Sequence, residues 1–281
     1  MRRKLIAAMF AAALLLWTGV AAAQDSKVIK DQAEYNAYIA AFNTQDPAQR
    51  GAAFEAFLRQ YPKSIVADDA LEQALVAYQK SNNVAKVEEI AGRILKREPD
   101  NVRVLAILTY IKRARATQGD PNALAEMNAD AARGLKALSG WKQPAGISDA
   151  DFANLKNQLA AVFNGAAGFG ALQARDFAKA RSYYLKSTQL NPNALGDFYQ
   201  LGVAELQMEP LDANGFWHIA RAIALADAQK NPGAREGIEK FGKGKYVQFH
   251  GSEEGWDKIL AQAAKQATLP ANFAKSVKPA S

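Results

Sequence analysis

Acid–base, nucleophilic and metal chemistry each need particular side chains at particular spacings, and this chain offers few of them. It has no cysteine, which excludes a thiolate nucleophile, a disulfide and a thiolate metal site. Its two histidines are His218 and His250, and no His-Glu-x-x-His pair sets two imidazoles one helical turn apart for zinc. No Gly-x-Ser-x-Gly elbow is present. The adjacent carboxylates Asp68–Asp69 and Glu88–Glu89 fall on helical stretches, where neighbouring residues point in different directions, so they read as solvated faces. Gly165, Gly168 and Gly170 lack the strand and the Gly-Lys-Ser/Thr ending of a phosphate loop. No cofactor and no metal site is expected, and the chain is not expected to be an enzyme.

The most site-like stretch is YVQFHGSEEGWD, which gathers Tyr246, Phe249, His250, Glu253, Glu254, Trp256 and Asp257. A titratable imidazole among acids at a helix N-terminus can act as a pH-sensitive contact or as a general acid or base. The plainer reading has Tyr246, Phe249 and Trp256 pinning a terminal helix onto the body of the protein while His250 satisfies a turn. The plainer reading is preferred, and an enzyme built on His250 and Glu254 is the alternative.

The elements that would position these residues are helices. Tyr35, Tyr38, Ile39 and Phe42 recur at helical spacing, as do Phe54, Phe57, Leu58 and Tyr61. Leu71, Ala74, Leu75 and Tyr78 follow, then Val87, Ile90, Ala91, Ile94 and Leu95, with Pro47, Pro62 and Pro99 at helix boundaries. Val104, Leu105, Leu108 and Ile111 make the next stripe. Lys112, Arg113 and Arg115 crowd its end, where cations complement the helix dipole. Ser148 with Asp151 predicts a capped start for a helix carrying Phe152, Leu155, Leu159, Val162 and Phe163. Asn231 to Gly255 is expected to break the helical pattern, because it is rich in glycine, with a short extended segment at Lys245–His250. A final helix is expected to start at Ser252, with Glu253 and Glu254 in its first turn and Trp256, Ile259 and Leu260 on its apolar face. Leu269–Ser281 reads as a mobile tail or a docking strap.

One stretch, FAKARSYYLKSTQLNPNALGDFYQLG, carries a recognisable pattern. Ala180, Tyr184 and Pro192 are followed by Phe198, Leu201 and Gly202, and Gly168 lies twelve residues before Ala180. This closely resembles the tetratricopeptide repeat (TPR), in which small residues let two helices approach and large ones fill the space beside them. Glu205 stands where that pattern has tyrosine and Asn214 where it has alanine. Pro62 to Pro99 spans 37 residues, close to the repeat length of about 34. Tyr61, Pro62, Ser64 and Ala70 are also similar to repeats of bacterial envelope TPR proteins, namely the outer-membrane protein-assembly lipoprotein and the Tol-linked periplasmic cell-division coordinator.

The resemblance implies an all-α, TPR-like solenoid of helical hairpins with a C-terminal capping region. Its implied role is a scaffold that binds peptide or protein segments in a groove lined by the first helix of each pair, as in envelope or outer-membrane assembly. The implied groove residues are Tyr38, Asn101, Arg103, Asn164 and Gln200, with Trp217 facing the concave surface and His218 a groove or surface residue. A peptidoglycan- or glycan-binding module, with Trp141, Trp217 and Trp256 stacking on sugars, is the alternative from another class.

Arg2, Arg3 and Lys4, the apolar run Leu5–Val20 and Ala21-Ala22-Ala23 read as a cleaved secretory signal over residues 1–23. The mature protein is then expected in the periplasm, with no transmembrane segment, no nucleic-acid partner and a protein partner in the cell envelope. The formal charge of +7 falls to +4 without the three leader cations, a balance that serves solubility or contact with an anionic cell wall. The remaining organisation is read as N-terminal repeats over 24–138, a linker at 139–147 around Gly140, Pro144 and Gly146, C-terminal repeats over 148–226, and a cap and tail over 227–281.

Overall fold

Alternating apolar stripes and turn residues translate into helices throughout. The computed structural model describes residues 28–280, and among them there are thirteen helices and no strand. The expected signal at 1–23 lies outside the described residues. The chain forms two compact units, the first ending at Leu159 and the second beginning at Ala160. Of the segment read as a linker, residues 140–147 form a non-helical connection within the first unit.

The first unit holds α1 (Gln32–Asn43), α2 (Pro47–Gln60), α3 (Ala67–Lys80), α4 (Val84–Arg97), α5 (Val102–Ala116), α6 (Pro121–Ser139) and the start of α7 (Asp149–Gln173). From α1 to α6 each helix packs on the next, as short turns between helices dictate. Caps explain the boundaries. Asp46 accepts from the Gln49 N–H at 2.8 Å with Pro47 in the first turn, and Asn83 accepts from Lys86 at 3.2 Å. Ser148 Oγ accepts from the Asp151 N–H at 3.1 Å and donates to its carboxylate at 2.7 Å, realising the predicted cap of α7. The core is the set of predicted stripes: Phe54, Phe57, Leu71, Ala74, Leu75, Tyr78, Val87 and Ile90 are all buried. Each large apolar side chain among them contributes about 1.5–3 kcal/mol. In α1 the stripe is only half used, because Tyr35 and Phe42 are 46% and 47% exposed.

The second unit continues through α8 (Phe177–Leu190), α9 (Leu195–Leu206), α10 (Asn214–Ala228), α11 (Pro232–His250), α12 (Trp256–Lys265) and the single turn α13 (Phe273–Ser276). The close approaches expected at small residues are present. A Cβ added at Gly168 would sit 3.0 Å from the Tyr184 ring, and one at Gly202 would sit 2.8 Å from the Gly215 carbonyl. α10 is the centre of this unit, with α9, α11, α12 and α13 all packed on it.

Two expectations fail here, and of the two readings of the tail one holds. Residues 232–250 are one helix, not a break with an extended segment: Asn231 caps it, Pro232 occupies its first turn, and Gly251 closes it in the left-handed conformation at φ 88°. Its glycines do not break it because Gly233, Gly237 and Gly244 face open space while Gly242 admits Ile219 and Trp256. The last long helix starts at Trp256 rather than Ser252, because Gly251 and Gly255 are both left-handed and hold Glu253 and Glu254 in the turn between. The tail is a docked strap: Phe273 and Val277 are buried in the same core as Trp256.

Candidate functional site

The first helices of three successive pairs, α1, α3 and α5, carry polar side chains that influence one another's charge. Tyr38 on α1 lies edge-on to Phe54 and Phe57 with ring centroids 5.6 and 5.4 Å away. Burial, and then the neighbouring carboxylate of Asp69 on α3, push its phenol above the ordinary value. One turn on, Glu72 of α3 feels the charge of Arg103 of α5. Burial pushes the Glu72 carboxyl up, Arg103 opposes that, and Glu98, Asp69 and Asp68 add to it. Burial likewise pulls Arg103 down against the pull of Glu72. Trp141, from the turn after α6, places its ring 5.8 Å from the guanidinium and 5.0 Å from Phe152. A small cavity adjoins Glu72, lined by Asp68, Leu71, Ile94, Arg97 and Glu98.

Arg103 is polar on one side and unfulfilled there. Its Nε and Nη2 are shielded from solvent and find no hydrogen-bond acceptor among the described residues. These two N–H groups share one edge of the guanidinium, the edge that grips two oxygens of a carboxylate side-on.

The other residues implied as groove contacts are spent differently. Asn101 caps α5, its Oδ1 accepting from Val104 at 3.1 Å while Nδ2 donates to Glu98 at 2.9 Å. Asn164 is buried and donates to the Ala160 carbonyl at 2.7 Å. Gln200 is half-buried on α9. Trp217 does not face a concave surface and His218 is not at a surface: they are 1% and 4% exposed, because helices cover α10 on every side. The basic cluster after Ile111 is engaged by neighbours. Lys112 pairs with Asp130 at 2.6 Å and Glu126 at 3.1 Å, and Arg115 pairs with Glu88.

The structure adds a buried polar network that the sequence did not announce. His218 Nδ1–H donates to Glu205 Oε2 at 2.5 Å, and Arg181 Nε–H reaches Glu205 Oε1 at 3.1 Å and Asp212 Oδ2 at 3.3 Å. The departure from the repeat pattern at Glu205 was the available signal. Phe198 and Trp217 flank the imidazole at 6.2 and 5.4 Å.

The C-terminal cluster assembles around Tyr246. Its ring lies 5.4 Å from Phe216, 5.5 Å from Trp256 and 5.0 Å from His250, and Phe249 lies 5.5 Å from Phe216. The Tyr246 hydroxyl donates to the Glu254 carbonyl at 2.7 Å. Glu254 therefore enters the cluster through its backbone, and its side chain is exposed. His250 Nδ1–H donates to the Lys278 carbonyl at 2.7 Å, and the Ala280 N–H donates to the Phe249 carbonyl at 2.8 Å. The cluster's contacts serve docking of the strap.

Among the described residues no group of three or more histidines and carboxylates is placed to hold a metal ion, and no helix is long and apolar enough to cross a membrane. Comparison of the chain with protein-family models finds no match, and comparison with curated proteins finds no significant relative.

Proposed function

We propose that the protein is a TPR-like interaction scaffold of the bacterial periplasm that holds peptide or protein segments along the face of its first helices. One observation carries this reading. Tyr38 on α1, Asp69 and Glu72 on α3, and Arg103 on α5 influence one another's charge across successive helix pairs. Polar groups maintained at partial burial suit hydrogen bonds to a ligand's backbone and side chains. The leader-like residues 1–23 support the compartment, and the resemblance of Tyr61, Pro62, Ser64 and Ala70 to repeats of envelope TPR proteins supports the setting. Stacking on glycans is the weaker reading, because two of its three rings, Trp217 and Trp256, are each 1% exposed.

Photo-cross-linkers placed in intact envelopes at Glu72 and Gln200, on first helices, and at Lys96 and Lys186, on second helices, test it. Partner adducts confined to the first-helix positions support the scaffold. Adducts equal on both faces, or absent from both, overturn it. A fusion of residues 1–40 to alkaline phosphatase, which is active only after export, tests the compartment.

A further inference from the structure

We infer that the surface beneath the C-terminal strap is a docking site for a short cationic amphipathic segment of a partner, and that the strap is its occupant in cis. The site lies within the second unit and does not depend on the first-helix reading. The strap is held as a linear ligand is held. Phe273 and Val277, four residues apart, are buried in the core built around α10, with Leu269 and Ala274 packed beside them. Its backbone completes the end of α11. The Ala280 N–H donates at 2.8 Å to the Phe249 carbonyl, one of those that a helix C-terminus leaves open, and His250 Nδ1–H donates to the Lys278 carbonyl at 2.7 Å. Gly251 lets the strap pass, because a Cβ there would lie 3.1 Å from that of Ala280. Apolar anchors four residues apart are how a groove holds a short amphipathic segment.

The strap fills this surface imperfectly. Its helix α13 is a single turn with no side-chain cap, and Asn272 before it is held in the left-handed region at φ 60°. A segment that enters as a longer, capped helix keeps both anchors without that cost. The strap carries Lys275 and Lys278, both exposed, and no acidic side chain. Its end crosses Gly251, where the chain turns into α12 and exposes Glu253, Glu254 and Asp257. Glu253 is shared with Lys243 at 2.6 Å. Cations on the outward face of the incoming segment match that rim.

A second copy's strap is a poor competitor. Tethered by residues 266–272, the chain's own strap acts at an effective concentration on the order of 1 mM, so an identical segment on another molecule does not displace it at micromolar protein. A partner segment displaces it only by binding more tightly, which makes the strap a threshold on affinity.

The test uses the full chain and a fluorescein-labelled peptide of residues 268–280, read by anisotropy. The peptide is expected to bind the Phe273→Ala protein, whose strap opens, about 10-fold or more tighter than the unaltered protein, because apparent affinity scales with the fraction of molecules whose surface is free. The Ala280→Pro protein, which loses only the N–H given to Phe249, is expected to fall between them. Bound peptide should return the tryptophan emission of the Phe273→Ala protein to that of the unaltered one. A peptide carrying Phe273→Ala should not bind. One carrying Lys275→Glu and Lys278→Glu should bind several-fold more weakly, a gap that closes in about 0.5 M salt. Equal binding to the Phe273→Ala and unaltered proteins, or binding to neither, overturns the docking site. Loss of slow hydrogen exchange in α10 of the Phe273→Ala protein also overturns it, since the strap would then be part of the core and not a ligand of it. Equal binding of the charge-reversed peptide overturns the cationic chemistry. A mass that doubles with concentration in the unaltered protein, and halves on adding peptide, makes the occupant a second copy and overturns the partner reading.

Discussion

Glu205 and His218 form a buried carboxylate–imidazole pair. The carboxylate has no solvent exposure, and its Oε2 lies 2.5 Å from Nδ1 of the histidine on the next helix. The second oxygen takes Arg181 at 3.1 Å, and Arg181 remains about a third exposed. One helix hairpin is thus bound by a charged bridge at a position where the TPR pattern packs an aromatic ring.

Removing Glu205 strands the histidine, whereas Arg181 can turn toward water. Glu205→Ala is expected to cost about 3–5 kcal/mol in urea unfolding, the range for breaking a buried pair from one side. The double change Glu205→Leu with His218→Phe should recover most of that loss, since apolar groups of similar volume replace such pairs at little cost. A loss below about 1 kcal/mol for the single variant would show that the pair contributes no more than a surface bridge.

Gly202 and Gly92 make a matched comparison. A methyl at Gly202 meets Ile219 at 2.7 Å and the Gly215 carbonyl at 2.8 Å, and the carbonyl cannot swing aside. Gly202→Ala is expected to cost about 1–3 kcal/mol. A methyl at Gly92 meets nothing within 4 Å, so Gly92→Ala is expected to gain about 0.5–1 kcal/mol by stiffening the unfolded chain. Thermal midpoints moving the same way in both variants would contradict the packing described here.

These positions also show what the sequence could convey. Ala180, Tyr184 and Gly202 were legible because close helix approach demands small residues at fixed spacing, and Gly168 indeed accepts Tyr184. α11 was illegible because a glycine count does not say which glycines face a neighbour. Only Gly242 of that helix does so, against Ile219 and Trp256. Trp217 and His218 looked like surface residues because a helix was assumed to hide one stripe. α10 hides nearly its whole circumference, a property of which later helices pack on it. At the candidate site, Tyr38 and Arg103 could be named from their place on first helices. The orphaned guanidinium edge could not, since it depends on Glu72 and Trp141, 31 residues before it and 38 after it.

Tyr78 should govern part of the alkaline limit of stability. Its hydroxyl donates to the buried carboxylate of Glu55, and burial together with that bond pushes the phenol up from 10.0 to about 12. A folded-state value above the unfolded one stabilises the fold fully below about 10. That contribution is lost as pH rises toward the folded value of about 12. Tyr110, raised to about 12 chiefly by burial, adds to the same limb. Tyr78→Phe is therefore expected to shallow the fall in stability above pH 10 without abolishing it. Spectrophotometric titration at the tyrosinate band should lose one late-titrating group in that variant; retention of the full late amplitude would contradict the assignment.

The strap is held by two buried side chains and two backbone contacts, which makes its role separable from that of the helices. Phe273 is 4% and Val277 7% exposed, and Lys278 and Ala280 contact His250 and Phe249. A short segment so anchored opens as a local unit once its main anchor is lost. Phe273→Ala forfeits about 3–5 kcal/mol of burial, more than the remaining contacts of the strap can offset. The expected result is rapid hydrogen exchange at the Ala280 amide and a red shift of Trp256, which shares that core, with exchange in α3 to α5 unchanged. Slow exchange at Ala280 in this variant would mean that the backbone contacts to Phe249 and His250, not the buried ring, fix the strap.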